Sequence, residues 1–385
     1  MTILEKIKKY GIVGSVKVAE RRFTRSLNKI IFYFCWMFPR DQHLIVMESE
    51  GDLSDNAFAL YNYMLQNQYL KTYKVVWLVD DVDKAKTRDF PNTDFVEKYP
   101  KKVTRKRSKA LATCKFYIYD HCNMMNRLKK RSGQKIIYLG HGAGVFKAPK
   151  GGSLKNRGKI IDEVYTIGEI SKKSVYDWQG VNEEKTYILG FSRLDWFYTD
   201  LSGVKKKINE EYSVESYKKT ILWMPTFRKC DNEEISENYL DSGTGLPLLN
   251  SKEKLNDFDK FLLKNNILVF LKLHHLQSDM PVFKQKFSNI KIVRDEELAD
   301  NGIQLYQFIP HTDALVTDYS SISADYMLLN KPMIYILDDY DEYRKSRGIY
   351  SENVLELMPG YHVFNLEELK EAIIEICRGV DKYKN

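Results

Sequence analysis

Eleven short, almost unbroken apolar runs punctuate this chain, and only a fold that buries all of them is admissible. They are 44–49 (LIVMES), 74–80 (KVVWLVD), 116–120 (FYIYD), 135–140 (KIIYLG), 163–168 (EVYTIG), 186–190 (TYILG), 220–227 (TILWMPTF), 267–274 (ILVFLKLH), 290–295 (IKIVRD), 313–318 (DALVTD) and 332–337 (PMIYIL). Continuous apolarity without polar alternation suits strands covered on both faces, as in parallel sheets. Helical spacing fills many of the gaps, for example 56–67 (NAFALYNYMLQN) and 322–330 (ISADYMLLN). This alternation predicts an α/β class assembled from βαβ units. The runs fall into two sets, predicting two doubly wound sheets in a chain of 385 residues, long enough for two domains. The polar, helix-prone stretch around 197–215 is the expected divide. The expected organisation is a segment 1–40, an N-terminal domain 41–205 and a C-terminal domain 206–385.

Charge is concentrated at the start. Residues 1–40 carry nine Lys or Arg and two Glu, a net +7 out of +8 for the whole chain. Lys17, Arg21, Arg25 and Lys29 recur every four residues on one helical face, and Val16, Phe23, Leu27 and Ile30 fall on a neighbouring one. The apolar run IIFYFCWMFP (30–39) follows, too short for a bilayer span of about 20 residues. A basic amphipathic helix with an aromatic patch suits a protein resting on an anionic membrane surface. The same helix would also serve as a surface helix packing its apolar face on the body of the protein. No nucleic-acid module accompanies the basic face, so no nucleic-acid partner is expected. Five cysteines without metal-type spacing point to a reducing compartment, and no secretory signal is visible.

Ligands in open α/β sheets bind beyond the carboxyl ends of the strands. That rule selects the residues worth attention. YLGHGAGVFK (138–147) ends a strand in glycines around His141, which could exchange a proton near neutral pH. WMPTFRK ends another with Thr226 and Arg228, a cation able to fork onto a phosphate. In LKLHHLQ, strand alternation puts Lys272 and His274 on one side. VTDYSSISADY delivers Asp318 and then Ser320 and Ser321, either of which could cap the following helix and leave amides free for an anion. YRKSRGIY supplies Arg344 and Arg347 beside Gly348. Each also has a plainer reading: a strand-to-helix turn, a surface arginine, an ordinary cap. The acidic string DDYDEY (338–343) reads as a solvated loop, and RKCDNEEISENYLDSGTGLP (228–247) as a long functional or mobile loop. His274 and His275 point to opposite faces and lack a third ligand, so no metal is expected.

The tally favours phosphate-rich chemistry. No Walker A sequence, G-x-S-x-G elbow or G-x-G-x-x-G fingerprint with its ribose acid is present, which weighs against a P-loop kinase, a serine hydrolase and a nicotinamide dehydrogenase.

In order, ESEGDLSDNAFALYNYM, HGAGVFK, GFSRLD, PTFRK, KLHH, VTDYSS, KPMIYILDDYDEYRKSRGIY and MPG resemble the CDP-glycerol glycerophosphotransferase family, the teichoic acid primases and polymerases and related capsule enzymes. The resemblance runs from about residue 44 to the C-terminus. It implies a GT-B architecture, two Rossmann-like domains facing a cleft. It also implies transfer of glycerol phosphate or ribitol phosphate from the CDP-alditol to a hydroxyl of a lipid-linked or polymeric glycan acceptor, releasing CMP, with no metal or other cofactor. The setting would be the inner face of the cytoplasmic membrane, with the protein peripheral and residues 1–40 on the anionic surface. His141 would take the position of the family's catalytic histidine and His274 that of the second. Thr226, Arg228, Lys272, Asp318, Ser320, Ser321 and Arg347 would line the donor side. Two departures stand out: Ala143-Gly144 where the family has Thr-Pro, bearing on the acceptor, and His275 where it has Pro.

On this resemblance His141 would act as general base on the acceptor hydroxyl, with the cations and helix amides neutralising the departing CMP. A nucleotide-sugar glycosyltransferase of GT-B type and a non-enzymatic polyanion-binding protein at the membrane surface are the alternatives.

Overall fold

The computed structural model describes residues 3–121, 123–148, 158–228, 243–381 and 383. Residues 229–242 of the long polar loop, together with Cys122 and Cys230, lie outside the described residues, as does the side chain of His275. The chain divides into two units. One comprises Met1–His141, Ser153–Gly168 and Gln179–Arg193; the other comprises Gly142–Gly152, Glu169–Trp178 and Leu194–Asn385.

The first unit holds β1 (Asp41–Glu48), β2 (Lys74–Val79), β3 (Thr93–Glu97), β4 (Cys114–Tyr119), β5 (Lys135–Tyr138), β6 (Glu163–Thr166) and β7 (Thr186–Ile188). They form one sheet in the order β3-β2-β1-β4-β5-β6-β7, and every pairing is parallel. The second unit holds β8 (Lys219–Trp223), β9 (Ile267–Leu271), β10 (Ile290–Ile292), β11 (Ala314–Thr317), β12 (Met333–Ile336) and β13 (Tyr361–Val363). Their order is β10-β9-β8-β11-β12-β13, again all parallel. Both are Rossmann-like orders. Winding outward from β1 and then from β4 leaves a switch point between those two strands, and between β8 and β11 in the second sheet, where strand ends are open to a ligand.

All eleven apolar runs contain strands. β9 shows why: all five of its residues are buried, as a central strand covered on both faces requires. β3 and β13 were not among the runs. Both are edge strands, and Thr93 and Asp94 of β3 and His362 of β13 remain half-exposed, which breaks the apolar pattern. In the first unit Trp77 of β2 packs edge-on against Tyr61 at 5.7 Å and Phe58 at 6.4 Å. In the second, Val269, Val316, Ile334 and Ile336 share a core with Leu369, Ile373 and Ile376 of the helix Leu366–Cys377. That helix is capped by Asn365, whose side chain accepts from the Glu368 amide at 3.0 Å.

The basic start is a helix, Ile3–Phe34. One face packs against the helix Arg105–Thr113. Asn28 accepts from the Thr104 amide at 2.9 Å and donates to the Lys102 carbonyl at 3.2 Å, and Phe32 and Cys35 are buried. The charged run 101–109 is thus only partly solvated, since Arg107 and Ser108 turn inward. Among the described residues no helix is long and apolar enough to cross a membrane. Cys35, Cys114 and Cys377 are free and buried.

Candidate functional site

At the first switch point the chain leaves β1 and turns through Ser49–Asp55 in a tightly tied loop. Leu53 and Asp55 both hold left-handed backbone, φ 54° and 55°, unusual for residues with side chains. The loop is fixed from several directions. The Asp120 carboxylate accepts from the amides of Glu50 at 3.0 Å and Ala57 at 2.9 Å. Asp52 accepts from the amides of Asp80 and Asp81. The buried Lys98 ammonium donates to the carbonyls of Ser49 and Gly51. Asp120 is itself enclosed, and burial together with the charge of Asp55 pushes its carboxyl well above the usual range.

His141 arrives at this loop from β5. Gly140 before it has φ 80°, and a Cβ there would lie 2.8 Å from the Tyr165 carbonyl, so only glycine fits. His141 Nδ1 lies 3.6 Å from Glu50 Oε2 and 3.8 Å from Asp55 Oδ2. These separations exceed a hydrogen bond, and Nδ1 is buried without a partner although the side chain as a whole is 40% exposed. Burial lowers the His141 pKa below 6.5. Asp55 and Glu50 pull it upward, while His121 and Arg193 push it down. His121, which follows β4, stacks edge-on to His141 with centroids 4.3 Å apart, and its Nε2 is 3.6 Å from Glu50 Oε1. Ligand-type atoms of Glu50, His121 and His141 lie within 4.8 Å of one another, the closest approach to a cation site among the described residues. Glu50 turns a different oxygen to each ring, however, as a carboxylate bridging two imidazoles does.

The second switch point carries a buried charge cluster. The Thr226 amide donates to Asp318 Oδ1 at 2.8 Å, while Thr226 Oγ1 is buried with no hydrogen bond. Arg228 is wholly enclosed. Its Nε and Nη2 meet Asp339 at 3.0 and 3.2 Å, and its Nη1 pairs with Asp318. The Tyr319 hydroxyl donates to Asp339 at 2.9 Å, and its ring stacks on Tyr343 at 3.9 Å. The string 338–343 is therefore only partly a solvated segment: Asp338, Asp341 and Glu342 are exposed, but Tyr340–Ser346 is helical and Asp339 and Tyr343 are buried in this cluster. Lys272 is nearly buried and paired with Asp295 at 2.8 Å. His274 is exposed; its ring lies 4.7 Å from Phe227 and its Nδ1 accepts from the Leu276 amide at 3.4 Å.

Ser321 stands at the start of the helix Ile322–Tyr326, but its hydroxyl makes no capping bond. The Ser320 carbonyl accepts from Ser323 Oγ. A Cβ on Gly142 would come within 2.6 Å of Ser321 Oγ, so the glycine after His141 keeps that approach open. Arg347 donates to the Ala148 carbonyl at 2.7 Å and lies over the Trp178 ring, and Arg344 is exposed. The structure thus gathers Thr226, Arg228 and Asp318 around one cluster and places His141 among carboxylates. Glu50, Asp55, His121 and Arg193 were not singled out as site residues, although Glu50, Asp55 and Arg193 sit in quoted motifs. His121 obeyed the strand-end rule directly.

Two parallel Rossmann-like sheets, each with polar chemistry past its switch point, define an α/β protein of GT-B-like class. A solved structure of the wall teichoic acid polymerase TagF soaked with CDPG matches with a TM-score of 0.71 at 20% identity, covering 94% of this chain and 89% of that one. The UDP-N-acetylglucosamine 2-epimerase of Rickettsia bellii matches at TM-score 0.50 and 15% identity, over 89% of this chain and 90% of that one. Residues 30–385 match the family described as CDP-glycerol:poly(glycerophosphate) glycerophosphotransferase, and the chain belongs to that family. Among relatives, the teichoic acid poly(ribitol-phosphate) polymerase of Bacillus spizizenii is 26% identical over 88% of this chain, which spans only 52% of that protein. The teichoic acid glycerol-phosphate primase of Bacillus subtilis is also 26% identical, over 90% of this chain and 87% of the relative.

Proposed function

We propose that this protein transfers glycerol phosphate from CDP-glycerol to a hydroxyl of a lipid-linked or polymeric cell-surface glycan, releasing CMP, in teichoic acid or capsule synthesis. CDP-ribitol is the competing donor. Family membership supports the reaction class, and the family description names CDP-glycerol. The observation that carries the chemical reading is the opposite set of the two imidazoles. His141 turns a buried Nδ1 toward carboxylates and has a lowered pKa, so it is neutral at pH 7 with Nε2 left to accept a proton. His274 uses Nδ1 as an acceptor, which leaves Nε2–H as a donor.

In this reading His141 Nε2 takes the proton of the acceptor hydroxyl as its oxygen attacks the β-phosphorus. The bond from β-phosphorus to the bridging oxygen breaks, and CMP departs with that oxygen. A positioned base contributes about 10²–10⁴-fold. His274, Arg347, the Thr226 and Ser321 hydroxyls and the amides after Ser320 hold the diphosphate and offset its charge, while Lys272, enclosed and paired with Asp295, supports the strand end rather than the ligand. Arg228 and Asp318 act from beneath, fixing Thr226. The protein works peripherally at the cytoplasmic membrane face through its basic helix. Incubation with CDP-glycerol and with CDP-ribitol in excess chelator, with CMP release as readout, tests the reading. Strict dependence on added Mg²⁺, or turnover only with a nucleotide sugar, counts against it.

A further inference from the structure

We propose that Asp55, anchored by Arg193, is the positioning carboxylate of His141, holding its ring with Nδ1–H inward and Nε2 outward. This rests on the reading of His141 as the base. A buried imidazole N–H requires an acceptor, and His141 Nδ1 has none within hydrogen-bond range. Asp55 Oδ2 at 3.8 Å and Glu50 Oε2 at 3.6 Å are the carboxylate oxygens paired with it. Catalytic hydrogen bonds are often long in a ligand-free enzyme, and closing this one takes a shift of about an ångström.

The two carboxylates are not equivalent. Glu50 is 51% exposed and shared between His141 and His121, whereas Asp55 is 15% exposed. Arg193 Nη1, itself nearly buried, grips Asp55 Oδ1 at 2.7 Å and leaves Oδ2 for His141. The neighbouring Asn56 locks the frame: its Oδ1 accepts from the Arg193 amide at 3.1 Å, and its Nδ2 donates to the carbonyl of Gly140, the residue before His141, at 3.0 Å. Ser192 Oγ donates to the Asn56 carbonyl at 2.8 Å. One short segment thereby ties the loop after β1, the turn after β5 and the turn after β7. Its left-handed Leu53 and Asp55 are strained backbone of the kind that persists where surrounding structure enforces it for function. The motifs around Asp55 and Arg193 acquire a common purpose in this way.

The charged and titratable groups of the first unit around His141 are Glu50, Asp55, Asp120, His121, Tyr138 and Arg193. When Nε2 takes the acceptor proton, Nδ1 keeps its own, and the new positive charge faces Asp55 and Glu50. Loss of the Asp55 charge therefore makes His141 a weaker base.

The test is CMP release from CDP-glycerol, with acceptor, by Asp55→Asn, Asp55→Glu, Arg193→Lys and His141→Ala across pH. Asp55→Asn is expected to lower kcat by about 10²-fold with the KM for CDP-glycerol little changed. The acidic limb of its pH profile is expected to move to lower pH, because the lost carboxylate favoured the protonated ring. Asp55→Glu is expected to restore part of kcat. If Asp55→Asn folds poorly, Arg193→Lys, which loosens Asp55 and keeps the charge, must show the same loss of kcat at unchanged KM. Wild-type kcat and an unmoved limb in Asp55→Asn, with His141→Ala inactive, overturn the positioning role alone. Wild-type turnover by His141→Ala removes the base reading itself. Chelator-sensitive activity that Zn²⁺ restores and His121→Gln abolishes would make the cluster a cation site and overturn the proposal.

Discussion

Asp339 grips one edge of Arg228, with Oδ2 3.0 Å from Nε and Oδ1 3.2 Å from Nη2, and the guanidinium is completely sealed from solvent. A buried pair of this kind gains little overall, but removing one member strands the other charge. Arg228→Met is expected to destabilise the protein by about 3–5 kcal/mol. Adding Asp339→Asn to it is expected to return part of that loss, since the two residues share one interaction. Urea denaturation of the two single variants and the double variant measures the coupling. Strict additivity would contradict the account.

His141 titrates below 6.5 because its Nδ1 side is buried, an effect that the nearby carboxylates only partly reverse. On the proposed reading of His141 as the base, the neutral ring is the reactive form. kcat/KM should therefore rise with pH to a midpoint below 6.5 and stay level through pH 7. His121→Gln removes a group that disfavours the imidazolium and should move that midpoint upward. A pH–rate profile of both proteins decides the matter, and a wild-type midpoint above 6.5 speaks against it.

Glu48, at the end of β1, is fully buried among Tyr117, Lys98 and Arg107, and burial pushes its carboxyl from 4.5 up to about 7. The folded state thus holds this proton more tightly than the unfolded one. Its contribution is complete below pH 4.5 and is lost as pH rises toward about 7. Glu48→Gln should accordingly be more stable than wild type above pH 7, by a margin that shrinks steadily toward pH 5. Unfolding midpoints collected over that range test this, and a margin independent of pH would refute it.

Val16, Phe23 and Ile30 recur every seven residues on the helix Ile3–Phe34 and are 52%, 66% and 64% exposed, away from the Asn28 and Phe32 face that packs on the body. Lys17, Arg21, Arg25 and Lys29 lie alongside. Each basic residue near an anionic surface is worth about 1 kcal/mol. The protein should cosediment with phosphatidylglycerol vesicles, less so in high salt and hardly at all with purely zwitterionic ones. Phe23→Ser with Ile30→Ser should weaken that binding without lowering thermal stability. Equal binding to both vesicle types would rule the surface role out.

Much of the fold could be read from the chain because central strands of parallel sheets are apolar on both faces. β3 and β13 are not legible because polar residues, Thr93 and Asp94 in one and His362 in the other, interrupt these short strands, whereas the edge strands β7 and β10 keep an apolar run. The strand-end rule singles out His141, Thr226, Arg228, His274 and Asp318, and each of them does follow the carboxyl end of a strand, β5, β8, β9 or β11. Partners were another matter. Arg228 resembles an exposed phosphate clamp until Asp339 folds onto it from 111 residues away, and Asp339 sits in a string whose composition suggests solvent. Asp55 and Arg193 could be recognised as motif members, but only their hydrogen bonds to each other and to the frame around Gly140 indicate what they hold.

The most direct test of the proposed reaction is CMP release by purified protein given CDP-glycerol and a lipid-linked glycan acceptor in excess chelator, beside the His141→Ala variant. The account predicts acceptor-dependent CMP formation by wild type and none by His141→Ala, although the variant still binds CDP-glycerol. Equal CMP formation by both, or none from either CDP-glycerol or CDP-ribitol with any such acceptor, would contradict it.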